Sequence, residues 1–282
     1  MNMVRTIKKS EELVGQTLKF LFITMMLAFA TIPIIWVVMT SFKSRLDVFG
    51  VVFWFKPSLD AYRNIFGPGG KQILNGLLNS IKVASINVFI VVTLGSMAAY
   101  ALSRLEFRGR KTLFFGILAS RLMPPVVAIL PVFLAVKKLG QIDKVFTVGF
   151  LNAAFNLPIC IWMLKSVFDT IPKELEEAAF IDGANRFVSI TRIVFPLARA
   201  GIVTTGLLAF IFSWNEFLLA LIFTQKYSKT APIILANATY GEAEIFWADM
   251  AALATIIMIP AVILAFFCQK HLVKGLTHGA SK

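Results

Sequence analysis

The chain has few of the residues that build catalytic or metal centres. Its 282 residues include two cysteines, Cys160 and Cys268, and two histidines, His271 and His278. Both cysteines lie inside uncharged apolar blocks, so we interpret them as packing residues and not as a disulfide or metal pair. The histidines lie near the C-terminus, away from any carboxylate cluster. We therefore predict neither a catalytic residue nor a metal site in this chain.

A nucleotide-binding loop is also lacking. The stretch Gly67-Pro68-Gly69-Gly70-Lys71 resembles a phosphate-binding loop only superficially, because Gln72 follows the lysine and Ile65 stands where the first glycine is required. No other segment fits that pattern. We therefore expect that ATP is not bound by this motif.

Acidic residues are scarce. There are 15 Asp and Glu against 28 Lys and Arg, which gives a formal net charge of +13. In a soluble protein this excess would suggest nucleic acid, but no basic stripe alternates here with base-stacking aromatics. Membrane proteins concentrate Lys and Arg in cytoplasmic loops. We therefore expect a membrane protein with no nucleic-acid partner.

Long apolar blocks are abundant, since 58% of the residues are hydrophobic. An uncharged block of about 18 residues or more is typical of a transmembrane helix. The sequence thus predicts an all-α polytopic membrane protein. Its six spans are predicted at residues 20–42, 78–103, 112–136, 145–164, 200–224 and 250–269. The first block is longer than the apolar core of a signal peptide, about 7–15 residues, and so reads as a retained span.

The loops carry a moderate charge asymmetry. With the N-terminus inside, the inner segments 1–19, 104–111, 165–199 and 270–282 hold 16 Lys and Arg, and the outer segments 43–77, 137–144 and 225–249 hold 10. The positive-inside rule then predicts that both termini and segment 165–199 are cytoplasmic, and that segment 225–249 lies outside.

Residues 172–196, which we call the polar segment, separate the fourth and fifth spans. Pro172 suits a first helical turn, where its missing amide proton costs nothing. Gly183 can end this helix in a left-handed turn, and Asn185 can cap a second short helix with Phe187, Ile190 and Val194 on one face. We expect Pro196 to stop that helix before the fifth span. The prediction is a compact helix–turn–helix. Its corner, by which we mean Glu177 to Gly183, carries small residues.

An amphipathic helix lying on the lipid headgroups is the other interpretation of the polar segment. Glu174, Glu176 and Glu177 argue against it, because inner leaflets are anionic and favour Lys and Arg. A rigid charged segment between two spans is better suited to docking on another protein.

The polar segment resembles the EAA loop of binding-protein-dependent ATP-binding-cassette importer permeases. The resemblance consists of Glu177-Ala178-Ala179, then Gly183, then Ile193 and Pro196 at the family spacing, with Phe195 where the family has leucine. The stretch 213–217, Ser-Trp-Asn-Glu-Phe, is similar to the carbohydrate, maltose-type branch. With the six-span layout, the resemblance covers nearly the whole chain.

This resemblance implies a type I importer (MetI-like) permease fold, one domain over 1–282, with an N-terminal region 1–77, a core 78–272 and a tail 273–282. It implies a multi-pass bacterial inner-membrane protein that forms half of a sugar pathway, and whose loop 169–196 couples ATPase closure to inward and outward switching. The implied coupling residues are Glu177, Ala178, Ala179, Asp182, Gly183, Ala184, Phe187 and Pro196.

The resemblance also implies partners. These are a second, different permease chain, two ATPase subunits that bind ATP and Mg²⁺, an extracytoplasmic sugar-binding protein, a carbohydrate and membrane lipid. This chain itself would bind no cofactor and catalyse no hydrolysis. The outside loop would contact the binding protein through Ala236, Asn237, Tyr240, Gly241 and Glu242.

Charged groups inside spans are costly and are candidates for function. Lys82 lies about 6 Å and Glu216 about 12 Å below the outer ends of their predicted spans, so the two are matched in depth and we predict an ion pair between them. Arg121 lies nearer the middle of the third span. The candidate substrate pathway comprises Asn87, Asn152, Asn156, Trp214, Asn215 and Glu216. Whether this chain or its partner permease binds the sugar stays open.

Two other functions stay as alternatives. A self-sufficient secondary transporter of a small polar solute would transport without an ATPase, but the sequence shows no inverted repeat. A membrane enzyme would need converging Asp, His or Cys at one membrane face, and no such set is evident.

Overall fold

A computed structural model describes residues 2–44, 46–50, 53–67, 70–240 and 247–279, and it describes side chains over 15–237, apart from the same gaps, and 247–267. The described residues form helices and connecting turns, with no strand among them. The helices are α1 Asn2–Thr40, α2 Asp60–Phe66, α3 Lys71–Arg104, α4 Arg110–Ser120, α5 Pro125–Lys138, α6 Val145–Asp169, α7 Glu174–Ile181, α8 Arg186–Ser189, α9 Phe195–Trp214, α10 Leu218–Phe223, α11 Ala231–Tyr240 and α12 Trp247–Gly279. A short 3₁₀ helix covers Asp47–Phe49.

The predicted membrane architecture is confirmed. Among the described residues, five helices are long and apolar enough to cross a membrane, and the number rises to six if the bent pair α4 and α5 forms one span. Most spans are longer than predicted: α3 begins at Lys71 and α6 continues to Asp169. Apolarity marks the section of a helix that lies in lipid, whereas the backbone stays helical until a cap or breaker ends it.

The third span is a correction. The sequence predicted one kinked helix over 112–136, but α4 and α5 meet at an angle of 88°. Pro124 is extended, with ψ 130°, and Pro125 opens α5. A residue before proline is driven out of the helical region, and proline itself favours the first turn of a new helix. The two prolines therefore break the helix and do not merely bend it.

The fifth span differs at both ends. Pro196 does not stop the second short helix, because α8 continues through a π-helical turn at Ile190–Val194 into α9. A proline has no N–H for the carbonyl four residues earlier, and the wider π turn before Pro196 accommodates that loss. At its other end α9 stops at Trp214, and α10 begins after a short break. The single helix predicted over 200–224 is thus wrong.

Segments predicted as loops contain helices of their own. Segment 43–77 includes the Asp47–Phe49 turn, α2 and the start of α3, and segment 225–249 includes α11.

The chain divides into two compact units, Met1–Gly69 with Gly241–Ile256, and Gly70–Tyr240 with Ile257–Lys282. In the first unit, Lys43 is buried, with its Nζ 4.4 Å from the centre of the Trp36 ring and 3.3 Å from the carbonyl oxygen of Gly50. Asn64 Nδ2 donates to Asp249 Oδ1 at 3.2 Å. These contacts fix the chain that follows α1.

The core of the second unit is formed by α3, α6 and α9. One apolar cluster includes Ala99, Leu164 and Val194, and a second, toward the other end of these helices, includes Val83 and Phe223. Gly95 and Ala99 lie on the face of α3 that meets α6, and a Cβ on Gly95 would lie 3.3 Å from Leu164 Cδ1. These small residues therefore allow a close contact between the two helices.

Candidate functional site

The turn between α7 and α8 has the structure that its glycine and asparagine predict. Gly183 adopts φ +85°. Its N–H donates to the carbonyl of Phe180 at 3.1 Å, and the N–H of Ala184 donates to the carbonyl of Ala179 at 2.9 Å. This pair of bonds is a Schellman motif, in which glycine takes the left-handed position. Asn185 Oδ1 accepts from the Val188 N–H at 2.9 Å, which confirms the predicted cap.

The predicted coupling residues are mostly accessible at this corner. Ala179 and Ala184 are half-buried, and the others are exposed: Glu177, Ala178, Asp182, Gly183, Phe187 and Pro196. The three residues predicted to share one face of the second short helix differ in burial: Val194 is buried, Ile190 is half-buried and Phe187 is 73% exposed. Ile181, which sequence analysis did not select, is 87% exposed. The corner thus presents small residues flanked by two large apolar side chains.

Sequence analysis missed Glu176. It was grouped with Glu174 and Glu177 as one charged cluster, but its carboxyl is buried while both neighbours are exposed. It forms an ion pair with Arg104 and accepts a hydrogen bond from the Tyr100 hydroxyl at 2.8 Å.

Four of the six candidate pathway residues line one cleft in the second unit. This cleft, which we call the asparagine cleft, has a volume of about 260 Å³. Its lining includes the predicted Asn152, Asn156, Asn215 and Glu216 together with Arg121. Three amides and two charged groups therefore surround a space that can hold a small polar molecule.

The other two candidate pathway residues, Asn87 and Trp214, are not among the residues that line this cleft. Asn87 is buried, donates from Nδ2 to the Ala209 carbonyl at 2.8 Å and accepts from Asn156 Nδ2 at 3.2 Å. Trp214 is buried, and its Nε1 donates to the Ile257 carbonyl at 3.1 Å. Asn87 therefore positions Asn156, which lines the cleft, and Trp214 links α9 to α12.

The predicted ion pair between Lys82 and Glu216 is absent. Lys82 lies on the exposed side of α3, beside the buried Val83. The Glu216 carboxylate instead accepts from the N–H groups of Leu219 at 2.7 Å and Ala220 at 3.1 Å. It therefore caps α10, which explains why a glutamate stands where the helix breaks.

Arg121 forms a hydrogen bond to α6 close to the proline inside that helix. Its Nη1 donates to the Phe155 carbonyl at 3.0 Å. Pro158 lies inside α6 and leaves a nearby carbonyl without its helical donor. The guanidinium thus joins the α4–α5 bend to a proline-disturbed turn, and both features border the asparagine cleft.

The segment predicted to contact a binding protein is only partly described. Ala236 is half-buried and Asn237 is exposed, both on α11, and Tyr240 is the last residue of that helix. Gly241 and Glu242 lie outside the described residues.

Asp143 organises the chain that leads to α11, a role that sequence analysis missed. Its backbone is left-handed, with φ +61°, a conformation that Asp and Asn tolerate better than most residues. Its carboxylate accepts from the N–H groups of Gln225, Lys226, Tyr227 and Ser228 at 2.9–3.0 Å. Burial opposes ionisation, but these four backbone donors outweigh it and hold the pKa of Asp143 well below its usual range.

Replacing Asp143 by asparagine should loosen residues 225–228. Asparagine tolerates the same φ but loses the charge and one acceptor oxygen, a loss of about 2 kcal/mol for a charged hydrogen-bonded group. That corresponds to a roughly 30-fold faster amide exchange, measurable by hydrogen–deuterium exchange on the purified chain. Because the folded pKa is depressed, the Asp143 contribution should be complete above the unfolded pKa, about 3.9, and be lost only as pH falls through the folded value. Asp60→Asn, at an exposed carboxyl, is the control, and equal exchange in both variants would contradict this role.

No metal centre is formed within the ranges whose side chains are described, where no three His, Cys, Asp or Glu converge. Cys160 is a buried free thiol packed in an apolar cluster with Val91 and Ala209.

Comparisons with known proteins agree on one family. Residues 91–278 match the family described as "Binding-protein-dependent transport system inner membrane component". The trehalose/maltose transport system permease protein MalG of Thermococcus litoralis is 34% identical over 274 residues, which is 96% of this chain and 99% of that protein. The trehalose transport system permease protein SugB of Mycobacterium tuberculosis is 36% identical over 262 residues, covering 92% and 95%.

Two solved structures share the fold. A chain of a bacterial ABC transporter involved in the import of the acidic polysaccharide alginate has a TM-score of 0.78 at 24% identity, and the match covers 91% of this chain and 96% of that one. A chain of a bacterial alginate ABC transporter in complex with an alginate pentasaccharide-bound periplasmic protein has a TM-score of 0.67 at 18% identity, covering 93% and 94%.

These matches define a multi-pass inner-membrane permease with the MetI-like fold of ABC importers. The chain belongs to the binding-protein-dependent transport system inner membrane components. The family and fold that the EAA-like spacing predicted are both confirmed.

Proposed function

We propose that this chain is the membrane-spanning permease subunit of an ATP-driven carbohydrate importer. The observation that carries the proposal is the exposed corner of the polar segment in a chain of this family. A second, different permease chain, two ATPases and an extracytoplasmic sugar-binding protein complete the transporter. The sugar transporters among the relatives support the substrate class, and the fold match to a transporter with a bound periplasmic protein supports an assembly of this kind.

The corner is the proposed ATPase contact. Ile181 and Phe187 are largely exposed, and large apolar side chains that cluster on a surface mark interaction sites. The small side chains of Ala178 and Gly183 let a partner surface approach closely, and Glu177 offers a charged contact beside them. Both termini and this corner face the cytoplasm in the proposal, in keeping with the Lys and Arg asymmetry. ATP, Mg²⁺ and hydrolysis then belong to the ATPase subunits, and this chain contributes no catalytic group.

The asparagine cleft is the proposed section of the sugar pathway. Asn152, Asn156 and Asn215 present amide donors and acceptors, which match the hydroxyl groups of a carbohydrate. Outside the membrane, the α11 segment with Ala236, Asn237 and Tyr240, and the following Gly241 and Glu242, contacts the binding protein. Asp143 supports this contact by fixing the chain that leads into α11.

Reconstitution tests the proposal. The tagged chain, purified from its native host in mild detergent, should bring down an ATPase and a second permease. The complex in liposomes should take up radiolabelled trehalose or maltose only when ATP and the sugar-binding protein are both present. Uptake by this chain alone, driven by an ion gradient, would instead establish the secondary-transporter alternative.

A further inference from the structure

The two adjacent glutamates of α7 have different environments. Glu177 is exposed at the corner, whereas the Glu176 side chain is 5% exposed and faces the end of α3. A carboxylate this buried is stable only with a partner of opposite charge and hydrogen bonds to its oxygens. Glu176 has both: Arg104 pairs with Oε1, and Tyr100 and Ser189 donate to Oε2 at 2.8 and 3.2 Å.

Arg104 is held as firmly as Glu176. Its side chain is 8% exposed, and its Nη2 donates to the Ile171 carbonyl at 2.8 Å in the turn before α7. Its Nη1 lies 3.3 Å from Ser103 Oγ, and that hydroxyl donates to Asp169 Oδ1, at the end of α6, at 2.6 Å. One guanidinium therefore joins the last turn of α3 to the start of α7 and, through Ser103, to α6.

The position of α3 gives this junction its significance. The chain itself connects α7 to α6 on one side and to α8 and α9 on the other, but α3 has no chain connection to the corner. The Arg104–Glu176 pair adds a direct bond between the end of α3 and α7, beyond the packing of α3 on α6 and α9. About 25 Å along α3, Asn87 bonds to Asn156 in the wall of the asparagine cleft. The single helix α3 thus contacts α7 at its last turn and, further along its length, contacts a residue that lines the cleft.

We propose that Arg104 and Glu176 are positioning residues that make α3 move together with the corner. This inference rests on the proposed function, in which the ATPases displace the corner. The buried pair resists separation, because pulling it apart would leave two buried charges without their charge partner. Displacement of α7 therefore carries α3 with it, and α3 moves Asn156 through Asn87.

The first test compares Glu176→Gln with Glu174→Gln in the complete transporter. Both changes neutralise one carboxyl of α7, but Glu174 is exposed and takes no part in the hydrogen bonds and ion pair of this junction. Sugar uptake and binding-protein-stimulated ATP hydrolysis are measured in the same proteoliposomes. Glu176→Gln should lower the sugar moved per ATP at least tenfold while the ATPase still co-purifies, and Glu174→Gln should keep the wild-type ratio. The double variant Arg104→Gln with Glu176→Gln should fall no further than the worse single variant, because both remove one interaction.

A measurement on the purified chain separates anchoring from coupling. Glu176→Gln should raise amide exchange in α7 about tenfold, with or without an ATPase. Faster exchange together with a wild-type ratio of sugar to ATP would overturn the inference, since the pair would then be an anchor only.

If Glu176→Gln does not accumulate, Tyr100→Phe removes a single hydrogen bond to the same carboxylate and should lower the ratio about threefold. Failure of the wild-type chain to bind any ATPase would refute the proposed function and this inference together, whereas an active transporter indifferent to Glu176→Gln would refute only the inference.

Discussion

Replacing Gly183 by arginine should reduce sugar uptake at least a hundredfold without unfolding the chain. Gly183 has φ +85°, so any side chain there meets the left-handed penalty of about 1–2 kcal/mol. Apart from Gly183 itself and its two chain neighbours, no residue has an atom within 4 Å of the position that a Cβ would occupy, so the chain has room for a side chain. The main effect must therefore come from whatever docks at the corner, where a long charged side chain would hold the two surfaces apart.

Gly109 provides a matched control for that experiment. It also has a left-handed φ, +84°, and its Cβ position is equally open. Gly109→Arg introduces the same side chain and the same backbone strain outside the polar segment, between α3 and α4, so it should preserve most of the uptake. Co-purification with the ATPase and uptake into proteoliposomes are the two readouts. Normal assembly and normal uptake in Gly183→Arg would remove the corner from the docking surface.

Replacing Asn215 by phenylalanine should block the asparagine cleft and lower uptake at least tenfold. Asn215 follows the end of α9 and lines a space of about 260 Å³, much of which a phenyl ring would occupy. The substitution also removes the amide that donates to the Ile211 carbonyl at 2.9 Å. ATP hydrolysis stimulated by the binding protein should persist, because the corner and its contacts are unchanged.

Val203→Phe is the corresponding control, since Val203 is exposed on α9 and is not among the residues that line the cleft. It should leave uptake near the wild-type rate. Equal uptake by Asn215→Phe and the wild type would mean that the sugar passes elsewhere, through the partner permease or along another face of this chain.

The corner was predictable because its structure is local. Gly183 and Asn185 determine a turn and a cap through bonds to residues within five positions, and these preferences can be recognised in a single sequence. The bend at Pro124 and Pro125 was predictable for the same reason, although its angle was not. Two adjacent prolines in a span predict a disturbance, and the packing around them decides between a kink and an 88° break.

The long-range contacts were not predictable. Glu176 and Glu177 are equivalent in sequence, and only the position of Arg104, on another helix, distinguishes them. Asp143 shows the same difficulty, since its four backbone donors lie more than eighty residues away along the chain. Lys82 and Glu216 were matched by depth alone, but a contact between helices also requires that both side chains face each other.

The helical path from Arg186 to Trp214 is continuous, through α8, the π-helical turn and α9, and would act as a lever in the proposed transporter. Its 29 residues extend from the corner to the wall of the asparagine cleft, where Ile211 and Phe212 belong to the lining. At about 1.5 Å per residue the lever is about 43 Å long, so a tilt of about 5° at one end would displace the other by about 4 Å. A modest rotation imposed at the corner would thus change the width of the cleft directly, because no loop lies between the two to take up the displacement.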